Sequence, residues 1–200
     1  MGAAVTAKKG AVKSKSYSVA GDTVEAILTD LEKKQIGGTD AVGDCTTEVK
    51  VPAIDKFEEE ENKKFKGKDK VEWFVTAKSG EVEMNATITL PVLKSDKNLS
   101  DKGKKEWGRF LSGLTAHEDL HVAAAWSVTE EIARELSEIK GTGQGKDKDA
   151  ALKAAEADFV KQYKAAYGGD KVAKRVTKAH EALDAKGNTF TLDASVEDDK

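Results

Sequence analysis

Apolar residues recur along this chain at two different periods. In "EVEMNATITLPV" Val82, Met84, Ala86, Ile88 and Leu90 take every second position, the mark of a strand with one buried face. Just upstream, "VEWFV" from Val71 reads as its partner, so that with the turn "KSG" the two predict a hairpin. Pro91, which has no backbone N–H to donate, is expected to end its ladder. "SYSVAG" and "CTTEVKV" predict two shorter strands. The period lengthens in "TVEAILTDLEKK", where Val24, Ile27, Leu28 and Leu31 share a helix face behind an Asp22 cap, with Gly37 and Gly38 as the stop. A longer stripe, Trp107, Phe110, Leu111, Leu114, Val128, Ile132, Leu136 and Ile139, predicts a helix from about Asp101 to Lys140, capped by Ser100 or Asp101. Two more helices follow: "DAALKAAEADFVKQYKAAYGG", stopping at Gly168 and Gly169, and "KVAKRVTKAHEALDAKG", capped by Asp170.

Between these elements the pattern lapses. Met1 to Ser16 is small and lysine-rich, and is expected to be a flexible leader without the apolar run of a signal peptide. Asp55 to Lys70 carries too much charge to bury and reads as a solvated loop or an excursion between strands. Gly141 to Asp149, "GTGQGKDKD", reads as a linker. A phosphate-binding loop would need glycine at Lys140 and serine or threonine at Asp147. "NTFTLDASVEDDK" predicts a short strand before an acidic tail. The expected organisation is a leader over 1–16, a single domain over 17–190 and an acidic tail over 191–200.

Composition narrows the function classes. With 33 basic and 36 acidic residues the net charge is -3, which gives no electrostatic reason to expect nucleic acid or an anionic membrane. No apolar run is long enough to predict a membrane span. A single cysteine, Cys45, excludes an internal disulfide framework and a zinc site built of cysteines; it reads as a small residue at a strand start.

The chemistry concentrates in "LTAHEDLHVAAAW". Continuing the long helix's stripe through Leu114 and Ala125 places His117 and His121 on its inward face, one turn apart. Zinc takes neutral imidazole nitrogens held still, and residues four apart on a helix supply two of them from one rigid element. Glu118 completes H-E-x-x-H, beside the coordination position left for water, where a carboxylate serves as general base. The next turn holds Ala125, so a third ligand must come from elsewhere. His180 lies on the stripe Val172, Val176, His180, Leu183 of the last helix, and Asp184 one turn beyond it. Either completes the metal site, the other then orienting an imidazole.

The order of these features resembles a bacterial domain-of-unknown-function family described as secreted zinc-dependent proteases. The likeness runs from Tyr17 to about Asp184 and rests on "YSVAGDTVEAIL", on "ITLPV" and above all on "WGRFLSGLTAHEDLH". That family closes with an aromatic residue, Asp-Ala, then threonine and a His-Gly pair. Here "ALDAKGNTF" keeps Asp184 and Ala185, has Leu183 at the aromatic position and has no later histidine, leaving the third ligand open between His180 and Asp184. The resemblance implies a secreted or periplasmic location. The expected fold is α+β, a small antiparallel β-sheet packed against long α-helices with a zincin-like active-site helix. The expected function is a Zn2+-dependent peptidase acting on a peptide or protein substrate, which would lie along the free edge of the hairpin. The alternatives are an inactive zincin-like binding module and a metal-free helical interaction domain.

Overall fold

Which face of a strand is buried follows from its period, but which strand lies beside it does not. The structure, a computed structural model that describes residues 4–34, 42–187 and 190–196, turns on this distinction. Its elements are β1 (Val5–Val19), α1 (Val24–Lys33), β2 (Asp44–Lys50), β3 (Phe57–Glu61), β4 (Val71–Ala77), β5 (Gly80–Leu93), α2 (Asp101–Glu138), β6 (Lys140–Gly145), α3 (Lys148–Tyr167) and α4 (Lys171–Asp184). The class is α+β, as expected, with two three-stranded sheets ordered β1-β5-β2 and β3-β4-β6. The hairpin is therefore replaced: β4 and β5 are consecutive in the chain but sit in different sheets, each as the central strand. Neither offers a free edge to a substrate. The buried alternation of β5 holds from Val82 to Ile88. Pro91 does not end the ladder, because Lys94 N, beyond it, donates to Val19 O at 2.9 Å.

The expected leader is also corrected. From Val5 onward it is β1, an edge strand whose first and last residues are buried, Val5 and Val19, while its middle lies exposed. Lysines there suit an edge strand, whose open backbone invites foreign strands unless charge discourages them. Met1 to Ala3 lie outside the described residues.

The chain groups into two compact units. One comprises Met1–Gly10, Glu48–Met84 and Ala125–Lys178. It holds the antiparallel sheet in which β4 pairs with β3 and with β6. The stretches read as a charged loop and a linker supply these two outer strands. In β6 the alternate residues Gly141, Gly143 and Gly145 lie against α3: a Cβ there would sit 2.2 Å from Ala155 O, 2.1 Å from Ala151 O and 2.4 Å from Ala151 N respectively. Glycine is required because the helix backbone occupies the space of a side chain. Asp147 caps α3 by accepting from Ala150 N at 2.9 Å, and Phe159 is buried edge-on to Phe57, ring centres 5.1 Å apart.

The second unit comprises Ala11–Thr47, Asn85–Ala124 and Ala179–Lys200. Its core gathers Val24, Ile27 and Leu31 of α1, Leu99, Trp107, Phe110 and Leu114 around the start of α2, and Phe190 and Leu192. Thr23, rather than Asp22, caps α1, accepting from Ala26 N at 3.1 Å. Asp22 accepts instead from Asn98 Nδ2. Gly37 and Gly38, expected to stop α1, lie outside the described residues. Ser100 caps α2, its Oγ accepting from Gly103 N at 3.0 Å. Thr191 to Val196 form neither the expected strand nor a wholly solvated tail, since Leu192 is buried, while 197–200 lie outside the described residues.

Candidate metal centre

Leu114, His117, His121 and Ala125 fall on one face of α2 because their spacing matches the helical period. Leu114 and Ala125 are fully buried and fix that face inward, carrying His121 to 7% exposure and the His117 side chain to 12%. The two rings stand at 87° with their Nε2 atoms 3.0 Å apart. Asp184, the last residue of α4, brings Oδ1 to 3.2 Å from His117 Nε2 and 3.1 Å from His121 Nε2.

Three donor atoms thus mark a nearly equilateral triangle. Ligands about 2.0–2.2 Å from a tetrahedral zinc lie about 3.3–3.5 Å from one another, so the triangle is within a few tenths of an ångström of a zinc-ligand face. Burial, the larger influence, lowers the His121 pKa, and it does the same for His180. At these two rings burial favours the neutral form, the one that binds metal. Three atoms rich in lone pairs meeting at one point repel unless a proton or a cation stands between them. Two imidazoles and a carboxylate, the last on an exposed side chain that leaves an approach open, are a donor set suited to zinc.

His180 lies outside this triangle. Its ring stacks on His121 with centres 4.7 Å apart and 16° between planes, and its Nε2 lies 3.0 Å from Thr47 Oγ1 in β2. His121 Nδ1 is buried with no hydrogen-bond partner among the described residues, so the orientation of this ring rests on the stack. Glu118 is 4% exposed, beside Gly43, where a Cβ would fall 2.6 Å from Glu118 Oε1. Burial first, then the charges of Asp44 and Asp184, push its carboxyl up to about 7. The Cys45 thiol, half-buried, is pushed up to about 12 by burial and by the same acidic surroundings, and so stays an unreactive thiol.

Against descriptions of known families, residues 14–188 match one described as "Bacterial protein of unknown function (DUF922)". The chain belongs to the DUF922 family. No curated protein and no solved structure matches it. The matched stretch contains His117, Glu118, His121, His180 and Asp184, and stops short of Phe190. Within this family member the structure brings His117, His121 and Asp184 together as donors, buries Glu118 within the field of Asp184 and turns His180 onto Thr47. Three neighbours escaped the sequence reading: Asp44, Thr47 and Phe190, whose ring centre lies 5.2 Å from that of His117. Only alternation in "TFTL" hinted at the last, and nothing in "GDCTT" singled out the first two.

Proposed function

We propose that this DUF922 member is a zinc-dependent peptidase whose ligands are His117, His121 and Asp184. The observation that carries this reading is the convergence of two imidazoles and a carboxylate on one point, with a buried glutamate next in sequence to one of the imidazoles and within the field of the carboxylate. Zinc, when bound, supplies a Lewis acid that polarises a carbonyl and lowers the pKa of water toward about 7. The chain supplies the proton traffic. The Glu118 carboxylate takes a proton from the attacking water as the new C–O bond forms, then gives it to the amide nitrogen as the C–N bond breaks. Its pKa near 7 in the metal-free site suits both halves of that exchange, and a neighbouring cation favours the ionised form that begins it.

Beside the donors, the edge available to an extended peptide among the described strands is that of β2, which ends its sheet and carries Asp44 and Thr47. Pairing along such an edge gives binding through backbone hydrogen bonds, without demanding a particular side chain. That suits a substrate of unfolded or extended polypeptide.

The test is cleavage of a dye-quenched unstructured polypeptide by zinc-loaded protein. Glu118→Gln is expected to slow cleavage by about a thousandfold with metal content unchanged, and a chelator to abolish it. Equal rates for Glu118→Gln and wild type would end the peptidase reading. Metal uptake without cleavage would leave a metal-holding binding module.

A further inference from the structure

A ligand imidazole must be kept from rotating about its side-chain bonds. His121 has the stacked ring of His180 for this, and His117 has a different support. Phe190 lies beyond the family-matched stretch, 73 residues downstream of His117, and is nevertheless 9% exposed within the core of the same unit. Its ring lies 5.2 Å from His117 at 50° and 6.5 Å from Phe110.

The backbone of α2 is shaped to seat it. Gly113 is a glycine inside a long helix, a choice that costs about 1 kcal/mol against alanine, and a Cβ there would fall 2.6 Å from Phe190 Cβ. The seat is then locked from the other side. Glu106, 8% exposed, accepts from Arg109 Nε at 2.7 Å and Nη2 at 2.6 Å, and from the backbone N of Asp193 at 2.7 Å. Arg109 Nη2 also donates to Thr191 O at 2.5 Å. A nearly buried carboxylate and its guanidinium partner thus grip the segment's main chain at two points, while Phe190 and Leu192 anchor it by burial. A loose tail has no use for a charged clamp of this kind, because burying charge is worthwhile only where each group is paired and hydrogen-bonded.

We propose that Phe190–Asp193 is a strap across α2 that holds the His117 ring in its metal-ready orientation, with Phe190 as a positioning residue for that ligand. The inference rests on the zinc reading of the cluster. It makes metal affinity depend on a segment outside the H-E-x-x-H helix, through a ring that touches the ligand and not the metal.

The experiment is a zinc titration against a chromophoric chelator, paired with the visible absorption of the Co2+-loaded protein, which reports ligand geometry. Each is run well below the melting temperature of every metal-free variant. Phe190→Ala is expected to weaken zinc about tenfold and to change the Co2+ bands, with Phe190→Tyr restoring both. Leu192→Ala loosens the strap at its other buried anchor while leaving the Phe190 ring in place, and is expected to weaken zinc by no more than about threefold. If Phe190→Ala fails to fold, Glu106→Gln loosens the strap at its clamp, keeps the side chain's shape, and is expected to weaken zinc by about threefold. Unchanged affinity in Phe190→Ala or, where that variant does not fold, in Glu106→Gln would overturn the proposal, as would a Leu192→Ala loss equal to that of Phe190→Ala. Wild-type protein that takes up no metal would instead bring down the zinc reading, and the strap with it.

Discussion

In β6 every second residue is glycine, and each of the three stands where a side chain would run into the backbone of α3. On α2 a glutamate and a histidine are buried, at 4% and 7% exposure, in a face otherwise made by leucine and alanine. Both stretches depart from ordinary strand and helix composition. The first departure is accounted for by packing, since larger residues do not fit. The second is opposed by packing: apolar residues at 118 and 121 would stabilise the unit more simply, because a buried polar group costs free energy unless fully partnered, and His121 Nδ1 has no partner among the described residues. An oddity that packing explains asks for no function, whereas one that packing penalises does.

The contrast breaks most sharply at Gly143. Gly143→Val should destabilise the protein by about 3 kcal/mol or more by overpacking against α3, read as a lowered midpoint in urea. A change under about 1 kcal/mol would show that β6 has room for side chains and that its glycines need another explanation. Next comes Asp184→Ala, which removes one of the three converging donors from an exposed side chain. Zinc affinity should fall by about a hundredfold, ~2.8 kcal/mol, while the metal-free melting temperature hardly moves. Equal affinity would remove Asp184 from the ligand set.

His180→Ala takes away the ring stacked on His121 without removing a donor, and should weaken zinc by about tenfold, ~1.4 kcal/mol. A loss as large as that of Asp184→Ala would make His180 a ligand after all. The smallest effect is expected at Arg175, which bridges Glu135 at 2.7 Å and Glu131 at 2.9 Å and is partly exposed. Arg175→Ala should cost at most about 1 kcal/mol. The hydrogen bond from Arg175 is the main cause that lowers the Glu135 pKa from its ordinary 4.5. This contribution is therefore present above that pH and fades as acid protonates the folded carboxylate. Stability profiles of wild type and variant should converge toward low pH, and divergence there would contradict the assignment.

The same contrast explains what was legible beforehand. The α2 stripe and the inward direction of His117 and His121 could be read directly, because helical period and side-chain direction are local properties. The partnering of β4 and β5 could not, since alternation specifies a face and leaves the neighbour to distant residues. β6 was invisible because glycine carries no apolar signal and its reason for being there is a helix later in the chain. The end of β1 was legible in "SYSVAG", while its earlier part, from Val5 to Lys15, was missed because most of its side chains face water. The choice between His180 and Asp184 hung on one turn of α4 and on Thr47, 133 residues away in sequence, which engages His180 Nε2.

Everything proposed for this site requires that His117, His121 and Asp184 hold one divalent cation. The most direct test is elemental analysis of protein equilibrated with excess zinc and then freed of loosely bound metal, beside the double variant His117→Ala, His121→Ala. One zinc per wild-type chain and none in the variant is the expected result. Wild-type protein without zinc, or a variant that retains as much, would contradict it.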